Sequence, residues 1–170
     1  MKKLLPVLLP FFFGGCMELT EGVTAVEGFE LEKYLGKWYE IARLDHPFER
    51  GLQQVTAEYD LREDGGVRVT NRGFSTKKGE WQDAQGKAYF VGATDVGHLK
   101  VSFFGPFYGS YGVFELAEDY QYAFVASSSK KYLWFLSRTP QVSPELKAEF
   151  VEKVKQIGYD ADALIFVDHG

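Results

Sequence analysis

With 170 residues the chain has room for one domain with its own core. Apolar residues make up 45% and charged residues 25%, the mix of an ordinary globule, and the 16% of aromatic residues favours strands. A formal net charge of −5 excludes the cationic footprint of a nucleic-acid binder, and Lys77-Lys78 and Lys130-Lys131 read as turn residues.

The first element in chain order is not part of the globule. Lys2 and Lys3 precede an apolar run over 4–13, followed by Gly14-Gly15-Cys16. A basic start, a short apolar stretch and small residues are the parts of an export signal. The run is too short to span a bilayer, which takes about 20 residues. Cys16 is the one cysteine of the chain, so no disulfide is expected. The stretch Phe13-Gly14-Gly15-Cys16 resembles the bacterial lipobox, with Phe13 where leucine is usual. That resemblance implies an acylated Cys16 as lipid attachment site. Met17 after it implies sorting to the outer membrane of a Gram-negative bacterium, facing the periplasm. The expected organisation is a lipoprotein signal peptide over 1–15, an acylated N-terminus and tether over 16–28, and a barrel domain over 29–170.

Strand-like runs separated by turn signals follow, at 37–44, 55–63, 67–74, 86–91, 98–104, 111–116, 122–127 and 132–138. Asp64-Gly65-Gly66 is a hairpin signal. Eight short, regularly spaced runs predict an all-β sandwich or barrel. One amphipathic helix follows them. Ser143 suits its N-cap, Pro144 its first turn and Gly158 its end. Leu146, Phe150, Val151, Val154 and Ile157 share a face that must pack outside the sheet. A short run over 164–167 predicts an added edge strand.

Strand residues alternate between two faces. In the second run Val55, Ala57, Tyr59 and Leu61 make the apolar set; in the fifth, Leu99, Val101 and Phe103; in the last, Tyr132 and Trp134. The inward set mixes small residues such as Ala42 and Ala57 with rings bearing a polar handle. Eight strands can close on their own side chains or on one small ligand, and composition leaves both open.

Gly36-Lys37-Trp38 opens the first run, Asp119-Tyr120 lies between the sixth and seventh, and Arg138 ends the eighth. These three motifs in this order resemble the lipocalin family over residues 29–167, with Glu118 where the family has threonine. The stretches "GKWYEIARLDHPFERGLQQVTAEYDL", "VSFFGPFYG" and "YLWFLSRTP" are similar to its bacterial outer-membrane members. The resemblance implies an eight-stranded up-and-down antiparallel barrel with one α-helix outside and a short ninth strand. It implies that Trp38 faces inward at the closed end under Arg138, with Gly36 admitting the backbone close by, as a structural floor. Glu40 then points inward and needs a partner, for which Arg138, a tyrosine or Asn71 are candidates.

For function, the resemblance implies a cavity for a fatty acid or lysophospholipid, for storage or transport of membrane lipids at the inner leaflet of the outer membrane. The expected apolar sleeve is Ala42, Val55, Ala57, Tyr59, Val69 and Phe90, with Leu99, Val101, Phe103, Tyr111, Val113, Tyr132 and Trp134. Asn71 and the tyrosine hydroxyls are candidates for a polar head, Arg50 for an anionic one and Phe48 for part of a lid. No catalysis, metal or cofactor is expected: His46, His98 and His169 are scattered, and neither a metal-ligand spacing nor a Gly-x-Ser-x-Gly elbow occurs. The competing reading is an interaction or structural lipoprotein whose barrel is self-filled. In that reading Phe104, Phe107 and Tyr108 mark a protein contact or homodimer face, unless they merely pack the turn at Pro106.

Overall fold

A computed structural model of the protein describes residues 17–170, so the expected signal peptide over 1–15 and the attachment site Cys16 lie outside the described residues. After a one-turn helix α1 (Leu31–Tyr34) come eight strands: β1 (Gly36–Leu44), β2 (Leu52–Leu61), β3 (Val67–Ser75), β4 (Glu80–Phe90), β5 (His98–Phe104), β6 (Phe107–Leu116), β7 (Tyr122–Ala126) and β8 (Leu133–Ser137). Each pairs antiparallel with the next. β1 also pairs with β8, which closes the barrel. Helix α2 (Pro144–Ile157) and a short β9 (Leu164–Phe166) complete the chain. The up-and-down barrel, its outer helix and the ninth strand are those expected from the sequence.

Local chemistry explains the joints. Gly65 holds φ of +84°, and Asp64 Oδ1 accepts from Gly66 N–H, so the β2–β3 turn closes tightly. Ser143 Oγ accepts from Leu146 N–H at 3.1 Å, and Gly158 ends α2 at φ of +101°. Inside the barrel lies one apolar cluster, from Trp38 through Tyr59, Val69 and Leu99 to Leu136. A second lies between the outer wall and α2, where Phe150 and Val154 are fully buried against Phe124 and Phe135.

Register shifts occur in several strand pairs, and three departures from a regular barrel shape the site. In β1, Glu40 lies opposite Leu136 but Ala42 opposite Phe135, so a bulge inverts the facing of everything beyond it. Ala42, expected in the cavity, is therefore in the outer cluster. β9 pairs with Ala42–Leu44 along the edge of β1 that β2 has left. Finally, β4 pairs with β5 only over Lys87–Phe90, so the two strands part toward one end.

Three expectations are revised. β4 begins at Glu80 rather than 86, because its first half is polar on both faces and gives no alternation. Leu61 is exposed at the very end of β2. Residues 17–28 are no loose tether: Thr20 N–H donates to Ser127 O, Val26 N–H to Val113 O, and Leu19 fills the space left by Gly112.

Candidate functional site

Loops 62–66, 91–97 and 117–121, with α1, form the closed end; loops 45–51, 76–79, 105–106 and 127–132 form the open end. At the closed end Gly36 turns β1 inward at φ of +97°, a conformation L side chains resist. Trp38 is fully buried, and its indole N–H donates to Tyr34 O at 2.8 Å. The Arg138 guanidinium lies 3.8 Å from the indole centroid, a cation–π contact of about 0.5–2 kcal/mol. Its Nη atoms donate to the carbonyls of Lys33, Leu35 and Lys37, and its Nε to that of Tyr120. One side chain thus ties the incoming chain and the β6–β7 turn to the floor.

Above Trp38 the floor is thicker than the sequence suggests. Tyr34 and Tyr59 stack at 5.5 Å, and both hydroxyls meet that of Tyr111, at 2.6 and 2.8 Å. Burial pushes all three phenols above their ordinary range. Beside them Leu31, Val67, Val69, Ala88, Leu99 and Val101 leave a space of about 20 Å³, room for little more than a water molecule. The lower half of the barrel is filled by its own side chains.

The upper half is different. Phe103 and Trp134 join the inner cluster yet are only partly buried, and Asn71, facing in beside Val69, is partly exposed. These side chains point inward and still meet solvent toward the open end. The barrel wall is loosest where β4 and β5 part. There Phe103 lies against Gly86, whose missing Cβ would stand 2.8 Å from the ring.

Of the expected cavity residues, Ala57, Tyr59, Val69, Leu99, Val113 and the partly buried Phe90 belong to the closed, packed part. Val55 is buried under β3, close to Gly73. Tyr132 precedes β8 and stacks on Trp134 at the mouth.

One side of the mouth holds a buried ionic network that sequence reasoning missed. Beyond the bulge Arg43 turns inward and is 1% exposed. Its Nη1 donates to Glu40 Oε1 at 3.3 Å, and its Nη2 to the carbonyls of Glu49 and Leu52. Glu49 Oε2 accepts from His46 Nε2 at 2.7 Å and from Trp134 Nε1 at 3.2 Å. Arg43 is therefore the partner of Glu40. Burial, then the neighbouring Glu49 charge, pushes the Glu40 carboxyl well above the carboxylate range. Burial also opposes ionisation of Glu49, but hydrogen bonds from His46 and Glu40 outweigh it and hold Glu49 below that range. Arg43 Nε and His46 Nδ1 are buried without a hydrogen-bond partner among the described residues. Arg50 lies outside this network, paired with Asp45 in solvent. No cluster of possible metal ligands occurs among the described residues.

An antiparallel eight-stranded cup, closed by an aromatic floor under an arginine and open at the other end, is the architecture of small-ligand-binding barrels. A model of the lipocalin-like domain matches residues 29–169, and the chain belongs to the lipocalin family, a class of binding proteins for small hydrophobic molecules. It is 56% identical to the outer membrane lipoprotein Blc of Vibrio cholerae, over 98% of both chains. It is 52% identical to the protein of that name in Escherichia coli K12, over 86% of this chain and 82% of that one. Among solved structures, insecticyanin from the tobacco hornworm superposes with a TM-score of 0.69 at 22% identity, over 91% of this chain and 88% of that one, a likeness of fold. With its relatives the protein is a lipid-anchored protein of the Gram-negative outer membrane.

Proposed function

We propose that the upper hollow binds one fatty acid or lysophospholipid, for storage or transport of membrane lipids at the inner leaflet of the outer membrane, and that Cys16 carries the acyl anchor. The observation that carries this reading is the pair of inward, partly exposed rings Phe103 and Trp134 above a filled floor. An acyl chain there gains about 0.8 kcal/mol per buried CH₂. Asn71, facing in and partly exposed, supplies a polar contact for a carboxylate or phosphate. The family is one of binding proteins, and we assign no catalytic step to this chain.

The self-filled alternative draws support from the packed lower half, so the test must separate the two. Asn71→Trp places an indole in the proposed site. The parent should bind lysophospholipid, read by a change in tryptophan emission, and the folded variant should bind at least tenfold more weakly. Equal binding by a variant with unchanged circular dichroism would remove the upper hollow as the site. No binding by the parent would favour the self-filled barrel.

A further inference from the structure

We propose that the open end is a membrane-docking rim, which holds the mouth of the barrel against a phospholipid surface bearing anionic phosphate groups. Three large rings stand exposed at that end: Phe107 is 77%, Phe48 67% and Phe104 64% accessible. Phe48 and Phe104 lie 6.0 Å apart although they come from different loops. Trp81, at the start of β4, adds a fourth exposed ring. Aromatic side chains of this kind settle at the boundary between head groups and acyl chains.

Charge is polarised along the same axis. The open-end loops carry Arg50, Lys77, Lys78, Lys130 and Lys131, against Asp45 and the buried Glu49. Arg50 pairs with Asp45, and Lys130 donates to Thr20 Oγ1 and Glu21 O, while Lys77, Lys78 and Lys131 are exposed. The closed end carries Glu30, Glu32, Glu63, Asp64, Asp95, Glu118 and Asp119 against Lys33, Arg62 and Arg138. In a chain of net charge −5, gathering cations around the exposed rings turns that end, and not the other, toward phosphate groups.

The start of the described chain lies on the same side. Ser110 Oγ donates to Met17 O at 3.0 Å. At about 3.3 Å per strand residue, Ser110 is about 10 Å along β6 from Phe107. Met17, which follows the proposed acylation site Cys16 in the chain, therefore lies on the wall near the rim. Anchor, rings and cations then act on one face, and the hollow opens onto the leaflet that supplies its lipid.

The test uses the acylated full chain in phosphatidylethanolamine–phosphatidylglycerol vesicles at high lipid-to-protein ratio. A thiol-reactive fluorophore is placed by Lys77→Cys at the open end or by Glu63→Cys at the closed end, and head-group spin-labelled lipid is the quencher. The label at 77 should be quenched at least threefold more than that at 63, and Phe104→Ser with Phe107→Ser should reduce its quenching at least twofold. Equal quenching at both ends, or stronger quenching at 63, overturns the proposal. So does quenching at 77 that ignores the ring substitutions while these abolish self-association in sedimentation velocity, which would assign the rings to a second copy of the chain. Lysophospholipid uptake is titrated separately on the same variants, so failure of the docking rim and failure of the ligand reading are told apart.

Discussion

Arg138 and Glu40 show how differently two single residues stand in the sequence. Arg138 is legible: an arginine ending the last run, with Gly-x-Trp opening the first, implies the stacked floor, and the structure has it. Its fork donates to four carbonyls as well as covering the indole. Lysine cannot reproduce that fork, so Arg138→Lys should lower stability by about 2 kcal/mol in urea unfolding. A loss within error would contradict the tying role. Glu40 was only half legible. Its inward facing follows from the parity of Trp38, but its partner Arg43 lies at the wrong parity for a regular strand and comes inside through the bulge. No residue in "WYEIARL" announces a bulge. The buried Glu40 leads to a second prediction. Its folded pKa is raised, so its contribution to stability is complete below the ordinary value of 4.5 and is lost as pH rises through the raised value. Glu49 has the opposite sign, contributing above 4.5 and losing that contribution as pH falls through its lowered value. Glu40→Gln keeps a neutral side chain at every pH. Its Tm should therefore fall less than the parent's as pH rises from 5 to 9, and parallel curves would contradict the raised Glu40 pKa.

At the scale of elements, α2 is the part most fully written in the sequence. Its N-cap, first-turn proline, apolar stripe and terminal glycine are all local signals, and the helix spans Pro144–Ile157 as they require. Its weight in the fold comes from Phe150, which meets Phe124 and Phe135 at 4.8 and 4.9 Å. Phe150→Ala should cost about 3–5 kcal/mol, and Ser143→Ala about 1 kcal/mol, in equilibrium unfolding. A smaller loss for Phe150→Ala would mean that α2 is not part of the cooperative unit. β4 was harder to read. Its residues Glu80 to Gly86 have β3 on one side and no strand on the other among the described residues. Water on both faces removes the alternation that marks a strand. The same signal was missing at 17–28, where the contacts are scattered backbone bonds to neighbouring strands.

At the scale of the whole molecule, the barrel has two halves with different uses. The lower is a solid core of tyrosines over Trp38, and the upper, the proposed binding site, is edged by an ionic network on one side and by parted strands on the other. Strand number was readable because alternation and turns encode it, strand order came from the family resemblance, and inward parity failed beyond the bulge in β1. How far up the floor is filled was not readable, since it depends on how three tyrosine rings meet in space. The measurement that tests the account most directly is native mass spectrometry of the detergent-released protein, as purified and after addition of lysophospholipid. The account predicts the acylated chain plus the mass of one fatty acid or lysophospholipid. An acylated chain that carries no such mass and takes up none when lipid is offered would contradict it.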